Sequence, residues 1–330
     1  MKGVWRGLLV LLVVLVAAFF VMRVPDTDPA EMRAKYAGEP SQFIDLGEGR
    51  EIHVRDEGPR DAPVIVLLHG SNADLHTWQA WAEALRGDYR VIRFDQRGHG
   101  LTGPAPDDDY SAEAFGADID AVTEALGVDT FTLAGNSMGG GIAMAYAIAR
   151  PWKLDALVLV DAGGAPVKRE GGGNLAFSLA GKPIVGDILS QLLPRSIVEK
   201  SFRQSVSNQD VVTPEAVSRY WELARYPGNR RATRIRFSTP RTAFTAEDVA
   251  QVKVPTLVMW GKEDSLIPFA AAEWYTSRLP NATLVAYDGI GHIPMEEAPE
   301  RSSSDLMIWL ADALVPPELP QVGSPVPASE

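Results

Sequence analysis

"LAGNSMGGGIA", Leu133 to Ala143, sets one serine, Ser137, among glycines and directly before an apolar, helix-like run. Two kinds of loop crowd glycines in this way. A phosphate-binding loop needs G-x-x-x-x-G-K-[ST], whose lysine reaches the phosphates. No lysine stands near Ser137, and the nearest downstream is Lys153. A dinucleotide-binding G-x-G-x-x-G does not fit either, because Gly135, Gly139, Gly140 and Gly141 have the wrong spacing. What does fit is G-x-S-x-G, as Gly135-Asn136-Ser137-Met138-Gly139, between the strand-like "TFTLAGNS" and the helix-like "MGGGIAMAYAIAR". A sharp, strained turn there lifts the serine hydroxyl above a sheet, and its neighbours have to be small or they collide with adjacent backbone. The stretch predicts a serine nucleophile at a strand–turn–helix junction.

The flanking sequence repeats that rhythm. "QFIDLG" and "REIHVRDEG" read as a hairpin joined through Gly47 and Gly49. "APVIVLLHG" is a continuous apolar run, as in a strand buried on both faces. "LHTWQAWAEALRG" is amphipathic and ends at Gly87; "SAEAFGADIDAVTEALG" opens on Ser111 as N-cap and closes at Gly127. Strands alternating with helices imply an α/β fold with a mostly parallel, doubly wound sheet. The alternation breaks over 165–251, which reads as helical, and resumes with "VPTLVMWG". An insertion at that point forms a cap over the C-terminal edge of the strands, where open α/β sheets bind ligands. The expected organisation is an anchor over 1–24, a stalk over 25–40, core over 41–164, helical cap over 165–251, core over 252–314 and a proline-rich tail over 315–330.

A serine nucleophile needs a base, and the chain has five histidines. His53 lies in the hairpin, His69 and His99 precede glycines in loops, and His76 opens an amphipathic helix. His292, in "DGIGHIPMEEAP", follows the last strand and shares the edge of Ser137, so it is the expected base. Three carboxylates could orient it: Asp264 and Glu263 in "MWGKEDSLIP", and Asp161 at the end of "LDALVLVDAGG". Side chains of adjacent residues diverge, so Glu263 and Asp264 cannot both face His292. The shorter Asp264 is the expected partner, which gives the chain order Ser137, Asp264, His292.

Composition narrows the partners. A net charge of -12 disfavours nucleic acid, whose binding rests on Lys and Arg. The absence of cysteine excludes disulfides, thiolate metal sites and Cys nucleophiles. The run Gly7 to Met22 is uncharged, with Lys2 and Arg6 before it and Arg23 after it. As a helix it spans roughly 24 Å, and Trp5 with the flanking arginines can extend it into the interfaces. It is expected as a single-pass membrane anchor, the bulk of the chain lying on the non-cytoplasmic side. A cleaved signal, giving a secreted protein, and a helix buried in the fold are the alternatives; "VAAFFVM" puts large residues where cleavage wants small ones.

With "LLHGSNADLHTW", "FDQRGHGLT", "GNSMGGG", "WGKEDSLIP" and "GHIPMEEAP" in place, the chain resembles the α/β-hydrolase fold superfamily over roughly 42–314, in its capped, serine-nucleophile esterase/lipase-like branch. The resemblance implies that the backbone amides of Ser71 and Met138 bind the oxyanion; Asn72 is expected to meet the substrate, and Asn72 and His69 either line and brace that loop or only shape its turn. It implies hydrolysis of a carboxylic ester with an apolar part, through an acyl-enzyme, with no metal or organic cofactor. Phe177, Leu179, Ile184 and Leu189 of the cap are expected to meet the substrate, unless they pack inside the cap. A C–C bond hydrolase of ring-cleavage products is the alternative, although its relatives carry a Gly-Pro-Gly-type loop where this chain has "SNAD". A perhydrolase-like activity and a silent binding protein on the same fold are further readings. Protein partners are not indicated.

Overall fold

The computed structural model describes residues 2–47, 49–168, 186, 190–239 and 243–314. The chain begins with helix α1 (Lys2–Met22) and α2 (Pro29–Tyr36), then the strands β1 (Ser41–Asp45), β2 (Glu51–Glu57) and β3 (Val64–Leu68). Helix α3 (Gln79–Leu85), β4 (Arg90–Phe94), α4 (Ala112–Ala125), β5 (Phe131–Asn136), α5 (Met138–Ala149) and β6 (Leu154–Val160) follow. The described part of the insertion contributes α6 (Arg195–Ser205), α7 (Pro214–Ala224), α8 (Asn229–Ser238) and α9 (Ala246–Ala250). The core then closes with β7 (Thr256–Gly261), α10 (Ala270–Thr276), β8 (Ala282–Tyr287), α11 (Pro294–Glu297) and α12 (Pro299–Ala313).

All eight strands form one sheet in the order β1-β2-β4-β3-β5-β6-β7-β8. β1 pairs antiparallel with β2, and β2 with β4, while the other neighbours are parallel. Side chains alternate across a strand, and β3 shows the consequence. Val66 and Leu68 point into one core with Phe115, Ile119 and Met144, whereas Ile65 and Leu67 point into the other with Trp78, Trp81 and Leu306. Both faces are covered, so every position of the strand is apolar. Each such side chain contributes about 1.5–3 kcal/mol on burial. Ser111 caps α4, accepting from the Ala114 amide at 3.2 Å. Gly127 follows that helix at φ +66°.

α1 carries a 19-residue stretch, Val4–Met22, that is long and apolar enough to cross a membrane and buries nothing against the rest of the molecule. The chain leaving it is tied to the cap. Val24 N donates to Gln191 O at 2.9 Å and Thr27 N to Arg225 O at 3.0 Å. Arg230 donates to Val24 O at 2.8 Å and to Asp26 at 2.5 Å. In the stretch expected as a stalk, Asp28 caps α2, and Met32 and Tyr36 of that helix are buried with Leu101, Leu223 and Tyr226. A polar, mixed sequence conceals this because only two side chains of α2 face inward.

Candidate active site

β5 delivers Ser137 to the C-terminal edge of the sheet. The residue adopts φ 55° and ψ -115° as the N-cap of α5, and its side chain makes no capping hydrogen bond. Left-handed φ in a non-glycine residue is costly, so the surroundings have to impose it. They do: Ser137 N donates to Val160 O at 3.0 Å, and Ser137 O accepts from Gly141 N at 3.1 Å and Gly163 N at 2.8 Å. The glycines have a steric reason. A Cβ on Gly135 would lie 2.3 Å from Gly139 O, and one on Gly139 would lie 2.3 Å from Leu68 O.

The loop after β8 carries His292, which is buried. Its amide donates to Ser205 O at the end of α6, 2.8 Å away. Its carbonyl accepts from Asn136 Nδ2 at 3.0 Å, tying this loop to the residue before Ser137. His292 Nδ1 lies 2.7 Å from Asp264 Oδ2. Asp264 Oδ1 accepts from the amides of Leu266 at 2.7 Å and Ile267 at 3.0 Å, so the turn "DSLIP" holds the carboxylate in place. A carboxylate can only accept here, so Nδ1 carries a proton; in the neutral imidazole this leaves the lone pair on Nε2, the tautomer a general base needs. Glu263 is exposed and accepts from Ile290 N at 3.2 Å, away from the imidazole.

Asp161 is also present. It is fully buried, and burial followed by the neighbouring Asp264 pushes its carboxyl well above the usual carboxylate range. One ligand-type atom from each of Asp161, Asp264 and His292 lies within 4.8 Å of the others. Within this group the His292 Nδ1–Asp264 Oδ2 hydrogen bond already occupies one nitrogen and one oxygen.

The loop after β3 faces the same edge. His69 Nε2 accepts from Gln96 N at 3.0 Å, so its Nδ1 donates to Gly70 O at 2.8 Å. Burial lowers the pKa of His69, which suits this neutral, bracing role. Asn72, at φ 61°, accepts from Thr233 Oγ1 at 3.1 Å and from Arg236 Nη2 at 3.3 Å, joining the loop to the cap. Arg236 of α8 is 1% exposed; its Nη1 lies 2.8 Å from Ser71 Oγ and 3.2 Å from Met138 Sδ. One guanidinium therefore touches both residues whose amides are expected at the oxyanion. Phe177, Leu179, Ile184 and Leu189 lie outside the described residues.

Two residues escaped the sequence reading. Arg236 is one of four arginines in "NRRATRIRFS", and nothing in the string separates it from the exposed Arg231. Glu297 stands inside a motif already singled out. Its buried carboxylate accepts from Gly291 N at 3.0 Å, Ser207 N at 2.8 Å and Asn208 N at 3.0 Å, clamping the His292 loop to the cap.

A family model described as the alpha/beta hydrolase fold matches residues 63–299. Among curated proteins, the chain is 28% identical over 280 residues to a bifunctional esterase/perhydrolase of Acinetobacter calcoaceticus, covering 81% of this chain and 99% of that protein. It is 26% identical over 271 residues to a 2-hydroxy-6-oxo-6-phenylhexa-2,4-dienoate hydrolase of Burkholderia cepacia, covering 76% and 90%. Among solved structures, it superposes on a bacterial membrane phospholipase A with a TM-score of 0.72 and 24% identity, over 95% of this chain and 99% of that one.

Proposed function

The chain belongs to the α/β-hydrolase fold family and is a hydrolase, and from that premise we propose that it cleaves carboxylic esters of apolar substrates with Ser137, His292 and Asp264. The reading is carried by one observation: a histidine hydrogen-bonded at 2.7 Å to a buried aspartate, on the sheet edge where Ser137 is held at φ 55°.

The chemistry follows from the positions. Ser137 Oγ attacks the ester carbonyl carbon while His292 Nε2 takes its proton. Asp264 stabilises the imidazolium and keeps its orientation without becoming protonated. The amides of Ser71 and Met138 bind the tetrahedral oxyanion; Met138 opens α5, where amides lack helical partners. Collapse expels the alcohol, which receives the proton from His292. Water, deprotonated by His292, then attacks the acyl-enzyme and releases the acid. Arg236, touching Ser71 and Met138, holds the two donors in register and places positive charge beside the developing oxyanion.

Relatives named as a bifunctional esterase/perhydrolase and as a 2-hydroxy-6-oxo-6-phenylhexa-2,4-dienoate hydrolase are similarly distant. The "SNAD" loop favours ester cleavage. The exposed apolar α1 supports an N-terminal membrane anchor, with the hydrolase held at the surface of the bilayer through the contacts of Val24, Asp26 and Thr27 to the cap. The test is a rate profile over p-nitrophenyl esters of increasing acyl length, run beside a ring-cleavage dienoic acid, on protein from washed membranes. Faster turnover of the esters and recovery with membranes are expected; preference for the dienoate, or soluble full-length protein, refutes the corresponding part.

A further inference from the structure

We propose that Asp161 is a positioning residue for the catalytic aspartate: a neutral carboxyl group whose Oδ2–H donates to the Asp264 carboxylate and fixes it against His292. The proposal rests on the Ser-His-Asp reading above and adds a fourth group to it.

The geometry demands a proton. Asp161 Oδ1 is satisfied by the Gly261 amide at 3.0 Å. Its Oδ2 is equally buried and meets no hydrogen-bond donor among the described residues. One carboxylate oxygen of Asp161 lies within 4.8 Å of one of Asp264, which places the two carboxyl groups side by side. A buried polar oxygen without a partner is costly, and two ionised carboxylates sharing one dry space are costlier still. A single proton between the two groups removes both penalties.

The neighbours decide which aspartate keeps that proton. Asp264 accepts from His292 Nδ1 and from two backbone amides, three donors that already occupy its oxygens. Among the described residues, Asp161 has one such donor, the Gly261 amide. Around it stand Asp264 from the loop after β7, Glu297 from α11 and Tyr287 at the end of β8, with His292 beyond Asp264. Burial and the acidic groups among these push its carboxyl toward the neutral state. Asp161 also sits at φ 44°, a strained conformation for a residue with a side chain. A neutral donor of this kind orients Asp264 without adding a second negative charge beside the base.

The experiment compares Asp161→Asn, Asp161→Ala and the control Asp264→Asn in the full-length protein, with kcat and KM for a p-nitrophenyl ester measured across pH. Asparagine retains both an acceptor for the Gly261 amide and a donor for Asp264. Its kcat should stay within about threefold of the parent, and the acidic limb of kcat/KM, which reports the base of the free enzyme, should not move. Alanine removes a hydrogen bond to a charged group, so kcat should fall roughly tenfold to a hundredfold at little change in KM. Its acidic limb should move to higher pH, because a carboxylate relieved of its donor holds the imidazolium more tightly.

A limb that moves to lower pH in Asp161→Asn would mean that a negative charge had been lost, so Asp161 was ionised and the proposal is wrong. Parental kcat and limb in Asp161→Ala overturn it equally. If the alanine protein does not fold, the asparagine limb alone decides. Asp264→Asn separates the two levels: its collapse upholds the triad whatever Asp161 does, and its full activity overturns triad and proposal together.

Discussion

Gly139→Ala probes the elbow with a single methyl group. The added Cβ would lie 2.3 Å from Leu68 O and 2.7 Å from His69 O, both backbone atoms of the segment that leads into the oxyanion loop. Ordinary carbon–oxygen contact requires a retreat of roughly 0.7–1.1 Å, and no flexible side chain is there to absorb it. Overpacking of this size destabilises by about 1–3 kcal/mol. Alanine is the better helix former by about 1 kcal/mol, and position 139 lies in the first turn of α5, which offsets part of that loss. Net destabilisation should therefore be up to about 2 kcal/mol. Catalysis has no such compensation, because a misplacement of about 1 Å between nucleophile and oxyanion donors costs on the order of a hundredfold. The expected signature is a kcat/KM about a hundredfold lower with a urea midpoint reduced by no more than a loss of about 2 kcal/mol accounts for. Gly87→Ala is the control. Its Cβ meets open space and its φ is not positive, so it should leave turnover alone and stabilise by about 0.4–1 kcal/mol. Parental turnover in Gly139→Ala, or loss of activity only in proportion to unfolding, would refute the steric argument.

Asp264→Asn keeps size but favours the wrong imidazole tautomer, and kcat should fall by about 10⁴, whereas Glu263→Gln should leave kcat nearly unchanged; steady-state kinetics on one ester check both. Arg219 of α7 bridges Asp74 at 3.3 Å and Glu296 at 3.2 Å, joining cap to core, and its side chain is 19% exposed. Arg219→Met should cost about 2 kcal/mol by urea unfolding at pH 7, less than for a wholly buried pair. Burial opposes ionisation of Asp74, yet Arg219 and the His76 hydrogen bond outweigh it and hold its carboxyl below the usual range. A depressed carboxylate stabilises fully above its unfolded pKa of about 4 and loses that contribution as pH falls through the folded value, so the gap between parent and variant should narrow below about pH 4. Arg236→Gln should lower kcat about tenfold with little change in KM, read from saturation curves, because a charge beside the oxyanion is removed while the amides stay.

Much of this architecture is legible in the string because it is local. Strand, turn and helix around Ser137 are contiguous, and the glycines that permit the turn are themselves residues of the motif. The order Ser137, Asp264, His292 follows from which loops leave the same sheet edge. Other features depend on contacts across long sequence separations. Arg230 and Asp26 are 204 residues apart, so the docking of the segment after α1 on the inserted helices has no sequence signature. Arg236 differs from its neighbours in α8 only by helix phase, which turns it under the cap toward Ser71. Gly87 reads as a helix cap, but α3 ends at Leu85 with Arg86 as its right-handed C-cap, and the glycine after it needs no positive φ. His53 reads as a structural or surface residue of the hairpin; it is fully buried, with Asp95 at 2.7 Å and Ser41 at 2.8 Å on its two ring nitrogens and Phe43 stacked on it, contacts that no local pattern shows.

The central claim is that Ser137 is the nucleophile of this hydrolase, and active-site titration tests it most directly. Full-length protein is treated with an equimolar fluorophosphonate, its intact mass is measured and the modified peptide is sequenced. A single adduct on Ser137, in step with complete loss of ester turnover, is the expected result, with no adduct and no turnover in Ser137→Ala. An adduct on another residue, or ester hydrolysis that persists in Ser137→Ala at more than a few per cent of the parent, would contradict it.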